Sequence, residues 1–160
     1  KPHANDRAPD RKLRIGYVSA DFNHHSPSLA FGPVLRNHDR SKFDLFLYSG
    51  VKREGKETQS FREMATVWCD ARDFSDEALA RRISEDRIDI LVDLSGHSVG
   101  NRLLAFARKP APVQVTAWGY ATGTGVPTVK IVPVTAPHDA RRFAASNAVM
   151  SSSNRAAPRI

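Results

Sequence analysis

Runs that suit β-strands alternate with runs that suit helices from Leu13 to Gly119, and that order restricts the fold more than any single motif. Leu13 to Ser19, LRIGYVS, is rich in β-forming residues, as is Phe43 to Tyr48, FDLFLY. Between them, SLAFGPVLRNH from Ser28 suits a helix, with Gly32 and Pro33 working against its first half. Thr58 to Ala65 suits a short helix and Thr66 to Cys69 a brief third strand. Ser75 to Arg87 is the plainest helix. Ser75 can cap it, Asp76 and Glu77 complement the helix dipole, and Leu79 and Ile83 make an inward stripe with Phe74. Ile88 to Leu94 is too uniformly apolar to be half-exposed, so it belongs in the middle of a parallel sheet with both faces covered. Leu103 to Arg108 is a short helix stopped before Pro110, and Val113 to Gly119 is the next strand.

This order predicts an α/β fold with a Rossmann-like, doubly wound, mostly parallel sheet and right-handed crossovers. In such a sheet, ligands sit beyond the carboxyl ends of the strands. Three loops are thereby selected: ADFNHHSP after the first strand, SGHSVGNR after the Ile88 strand, and YATGTG after the Val113 strand.

Their residue types permit several chemistries. In YATGTG, Gly123 and Gly125 let backbone approach a ligand, and Thr122 and Thr124 offer hydroxyls to phosphate or sugar oxygens; the plain alternative is a turn. Neither common nucleotide fingerprint is present. Val126-Pro127 stands where a P-loop needs lysine and Ser/Thr, and Ala20 to Pro27 contains no glycine. ADFNHHSP offers Asp21, His24 and His25. Histidine, with an ordinary pKa of about 6.5, can move protons near neutrality or bind metal. The lone Cys69 lies in another segment, and a histidine here can equally be a surface group bonded to water. SGHSVGNR supplies His97, Ser98 and Asn101. No G-x-S-x-G elbow occurs, and Asp93 near His97 in sequence does not make a triad. Ser98 or Asn101 capping the following helix is the plain alternative.

Composition narrows the partners. With 41% hydrophobic residues among 160, there is apolar material for one core. One cysteine excludes an internal disulfide framework and favours a reducing cytoplasm. No apolar run approaches the roughly 20 residues that span a bilayer. The net charge of +7 is partly a tail effect. Residues 130–160 hold five basic residues and one acid, leaving 19 basic and 16 acidic residues elsewhere. Without clustered Lys/Arg and interleaved aromatics, neither nucleic acid nor membrane is expected as a partner.

Taken together, LRIGYVSADFNHHS and IDILVDLSGHSVGNRLLAFARKPAPVQVTAWGYATGTGVPT resemble the SPINDLY-like group of protein O-linked N-acetylglucosamine transferases. The resemblance runs from about Lys12 to Val129, and RKPAPVQVTAWGYATGTG is its most specific part. It implies a metal-independent glycosyltransferase of the two-lobed GT-B architecture, with no cofactor. Such an enzyme moves sugar from a donor such as UDP-N-acetylglucosamine to Ser or Thr of acceptor proteins. The chain resembles the N-terminal catalytic lobe. The C-terminal lobe, with most nucleotide contacts and a lysine facing the leaving diphosphate, would follow, and tetratricopeptide repeats would precede. His25 matches the family's D-F-x-x-H histidine, considered a proton acceptor. His97, Ser98 and Asn101 would line the sugar and acceptor side. Tyr120, Thr122, Gly123, Thr124 and Gly125 would lie near the sugar-phosphate. Family members differ at the position of His97, which makes it a lining residue.

Residues 1–12, polar and with two prolines, read as a linker arm; 13–129 read as the lobe; and 130–160 read as a divergent, poorly packed tail. Lys130-Ile131-Val132 replaces the Asp-Tyr opening of the family pattern, PVTAPHDARRFA returns to it, and Ser146 to Ile160 departs again. A start at Lys1 and this tail suggest part of a longer or altered product, inactive by itself. The competing reading is a non-catalytic Rossmann-like module that binds protein or nucleotide.

Overall fold

The computed structural model describes residues 2–24, 26–118 and 124–131. Strands are β1 (Leu13–Ser19), β2 (Phe43–Ser49), β3 (Val67–Asp70), β4 (Ile90–Asp93), β5 (Val113–Thr116) and β6 (Lys130–Ile131). Helices are α1 (Ser26–Arg36), α2 (Lys56–Met64), α3 (Asp76–Glu85) and α4 (Leu103–Ala107). The six strands form one sheet in the order β3-β2-β1-β4-β5-β6, with every neighbouring pair parallel. The chain winds outward from β1 to β3, then crosses back and continues from β4 on the other side. The expected doubly wound sheet is therefore the one observed, and it is wholly parallel.

Its strands are apolar on both faces because helices cover both. Ile15, Tyr17, Leu45 and Leu47 face Phe31 and Leu35 of α1 and Phe61 of α2. Val18, Phe46, Tyr48 and Leu91 face Leu79 and Ile83 of α3 and Phe106 of α4. β4 pairs with β1 and β5 and all four of its residues are buried, the central position its composition predicts. Burial of such side chains contributes roughly 1.5–3 kcal/mol each.

Element ends differ by a few residues for identifiable reasons. α1 begins two residues earlier than the sequence suggests and runs through Gly32 and Pro33. Fully buried Phe31 and Leu35 offset the hydrogen bond that Pro33 cannot make. β4 starts at Ile90 because Arg87 turns into the left-handed region at φ 52° and the Ile88 amide still reaches back to the Ile83 carbonyl. The α3 cap is as expected: Ser75 Oγ accepts the Ala78 amide at 3.1 Å. β6 falls directly after Val129 and pairs with β5.

The leading arm docks on the amino end of the sheet. Asp89, 7% exposed, accepts from Arg11 Nη2 and Nη1 at 2.6 and 2.7 Å, Asn5 Nδ2 at 2.8 Å and the Arg14 amide at 2.9 Å. Hollows of about 340 and 260 Å³ border these residues, at the end of the sheet away from the candidate loops.

Candidate active site

The strand order reverses between β1 and β4, so the crossovers leaving these strands diverge and open a crevice at their carboxyl ends. The register sets Val18 beside Asp93, bringing the two strand ends level. The loops after β1 and β4 are therefore neighbours in space, although about 70 residues separate them in sequence.

The β1 loop is anchored by Phe22. This fully buried ring lies 5.8 Å from Phe31, edge-on, 5.4 Å from Phe61 and 5.8 Å from Trp68. Ser19 Oγ accepts the Asp21 amide at 2.9 Å, which tightens the exit from the strand. Asp21 also has an interaction partner, and His24 is exposed. His25 lies outside the described residues.

The β4 loop hangs from Asp93, which is 1% exposed. Asp93 Oδ1 accepts the Ser95 amide at 3.1 Å; Oδ2 accepts the Gly96 amide at 3.0 Å and the Thr116 hydroxyl at 2.8 Å. Burial pushes the Asp93 carboxyl above its ordinary range, against the opposing pull of those three donors and of nearby His97. Gly96 then turns at φ 53°, a conformation that favours glycine. The Ser98 amide donates to the Ser95 carbonyl at 2.9 Å and the Asn101 amide to the Ser98 carbonyl at 3.1 Å. His97, Ser98 and Asn101 are all exposed along this path, and His97 has an interaction partner.

Gly100 brings the two loops together. Its φ is 82°, and a Cβ there would stand 2.9 Å from the Ala20 Cβ. Asn101 does reach toward the next helix: its Oδ1 accepts the Leu103 amide at 3.4 Å, while Nδ2 donates to the Ser98 carbonyl at 2.9 Å. The N-cap position itself belongs to Arg102, whose guanidinium binds Asp76 Oδ1 at 2.8 Å and ties α4 to the start of α3. Ser98 makes no cap.

On the third loop, β5 ends at Thr116, and Trp118 at φ 62° turns the chain away. Tyr120, Thr122 and Gly123 lie outside the described residues. Thr124 is buried, its Oγ1 accepting the Val126 amide at 3.2 Å, and Gly125 is exposed with φ 69°. The described candidates His97, Ser98 and Asn101 thus follow the carboxyl end of β4, and Thr124 and Gly125 come after β5 in the chain. Among the described residues no three His, Cys, Asp or Glu side chains gather where a metal could be held.

Four residues that shape this crevice are not among the candidates chosen on sequence: Phe22, Asp93, Gly100 and Thr116. Asp93 carried a signal, since an acid closing a buried apolar strand needs donors around it. Gly100 and Thr116 carried none, because their partners are distant in sequence.

Comparison with known proteins agrees with this geometry. The family model described as Glycosyl transferase family 41 matches residues 2–152. A probable UDP-N-acetylglucosamine–peptide N-acetylglucosaminyltransferase SPINDLY of Arabidopsis thaliana is 41% identical over 129 residues, 78% of this chain and 14% of that protein. A UDP-N-acetylglucosamine–peptide N-acetylglucosaminyltransferase of Caenorhabditis elegans is 32% identical over 123 residues, 72% of this chain and 10% of that protein. A solved O-GlcNAc transferase mutant from Thermobaculum terrenum superimposes with a TM-score of 0.68 at 42% identity, covering 71% of this chain and 22% of that one. The sequence therefore spans only a small part of these relatives. With nearly its whole length matched by the family model and its crevice at the switch point of a parallel sheet, the chain belongs to glycosyl transferase family 41.

Proposed function

We propose that this chain forms one wall of the cleft of a protein O-glycosyltransferase, which moves N-acetylglucosamine from a UDP-sugar to Ser or Thr hydroxyls of acceptor proteins. The observation that carries the reading is the convergence of the β1 and β4 loops at the switch point, in a member of this family. A second lobe supplies the opposite wall, and upstream repeats dock the acceptor. Work in a reducing compartment accords with the single cysteine, Cys69, which is buried and packed as a small apolar group. Among the described residues no helix is long and apolar enough to cross a membrane.

In the reaction, the acceptor hydroxyl attacks the anomeric carbon from the face opposite the diphosphate. The C–O bond to the diphosphate breaks and the configuration inverts. Holding both reactants in line supplies much of the barrier reduction. Donors facing the departing diphosphate supply the rest. His25 takes the hydroxyl proton. Its support is its place in the sequence: three residues after the Phe22 anchor and immediately before Ser26, where α1 begins. His97, Ser98 and Asn101 line the acceptor side, and Tyr120 with Thr122 to Gly125 the donor side.

The test is donor screening of the full-length protein against several sugar nucleotides, followed by His25→Ala and His97→Ala. Transfer from UDP-N-acetylglucosamine, with turnover lowered at least about tenfold by His25→Ala, is the expected outcome. Loss below tenfold in both variants removes the proton-acceptor role. Absence of transfer from every donor leaves the non-catalytic binding module as the correct reading.

A further inference from the structure

Asp93 closes β4 at the floor of the crevice, but its carboxylate cannot reach a substrate directly. It is 1% exposed, and its three bonds all go inward. Those bonds join two separate segments. Two come from amides of the β4 loop and one from the hydroxyl of Thr116 at the end of β5. The backbone adds a parallel link, because the Ala117 amide donates to the Asp93 carbonyl at 3.0 Å.

We propose that Asp93 is a positioning residue, which locks the β4 loop to the exit of β5 so that this loop keeps one fixed place on the wall of the sugar-nucleotide cleft that this chain supplies. The inference rests on the function proposed above. On one side, the succession of turns from Ser95 to Asn101 begins at the amides Asp93 holds, and Gly96 stands immediately before His97. On the other side, Thr116 ends β5 two residues before Trp118, whose φ is 62°.

The chemistry explains why the residue is an acid. Burying a charge costs several kcal/mol unless donors surround it. A carboxylate can accept from donors on both oxygens. An asparagine has one acceptor, so one side of its amide would set an N–H against an N–H of Ser95 or Gly96. A residue needed only to fill the space would not require two accepting oxygens. Ser95 Oγ, itself buried, has no hydrogen-bond partner among the described residues, so the loop is not held through that hydroxyl.

The experiment uses the full-length enzyme with UDP-N-acetylglucosamine as donor and UDP as a binding probe. Asp93→Asn is expected to raise the donor KM about tenfold and to weaken UDP binding by calorimetry in step, because the β4 loop loses its fixed place beside the exit of β5. Thr116→Val removes one of the three bonds and is expected to shift both quantities in the same direction by less. Thr116→Ser keeps the hydroxyl and is expected to restore them. Asp89→Asn is the comparison: it breaks a buried carboxylate at the other end of β4 and is expected to lower the melting temperature without moving KM. Unchanged KM and UDP affinity in Asp93→Asn and Thr116→Val overturn the proposal, as does an equal KM change in Asp89→Asn. If Asp93→Asn does not fold, Thr116→Val against Thr116→Ser decides. Failure of the wild-type protein to transfer sugar overturns the proposed function and this inference with it. Wild-type transfer with unmoved variants overturns the inference alone.

Discussion

Single residues allow sharp tests, one at the crevice and one in the packing of the sheet. Gly100 adopts φ 82° with its missing Cβ against Ala20. Gly100→Ala combines left-handed strain with a contact the backbone of the β1 loop must absorb. We expect a loss of about 2 kcal/mol, read as a lower urea midpoint, with weaker UDP binding in the full-length protein. Gly125→Ala has the same strain but open space around it, so its loss should be smaller. His38 tests electrostatics. Its Nε2 shares a hydrogen bond with the Tyr17 hydroxyl at 2.7 Å, and burial, with Arg40 nearby, lowers its pKa from 6.5 to about 4. A lowered histidine pKa favours the neutral form in the fold. Its contribution is therefore complete above pH 6.5 and is lost as pH falls from 6.5 to about 4. The full shift corresponds to roughly 3 kcal/mol. His38→Gln keeps a group that can donate to or accept from Tyr17 without titrating, so it should flatten the stability profile in that window. An unchanged slope would assign it to other groups.

Among the elements, the helices show best how local sequence acts. α3 starts where Ser75, Asp76 and Glu77 say it should, because a cap and a dipole are satisfied by neighbours in sequence. Ser75→Ala should cost about 1 kcal/mol and Ser75→Gly only a few tenths, measured by thermal unfolding. α1 was legible only in part. Its glycine and proline disfavour a helix locally, and the burial of Phe31 and Leu35 against strands far away outweighs them. The β4 loop reads the same way. Asn101 was legible as a group near a helix start, but the cap position went to Arg102, whose guanidinium is held by Asp76 of α3 and by the Ala71 and Phe74 carbonyls of the loop before it. β4 was legible as a central strand from composition alone, since only a strand covered on both faces can be apolar throughout.

At the scale of the whole molecule, the sheet order makes a crevice with one wall here. The chain covers 14% of its Arabidopsis relative. We expect the 160 residues expressed alone to show no sugar transfer, while the full-length protein transfers; activity of the short chain would overturn the need for a second lobe. What the sequence determined by itself was periodic and local: strands, helices, their alternation, the Ser75 cap, and hence the doubly wound class with its ligand end. The family motifs added the expectation of a glycosyltransferase. What only the tertiary structure decided was which distant groups meet: Asp93 with Thr116, Gly100 with Ala20, Phe22 with Phe61 and Trp68, Asp89 with Arg11. The physical reason is range. Periodicity and capping act between residues a few positions apart, whereas a buried carboxylate or a missing Cβ takes its meaning from whichever segment the packed sheet sets beside it.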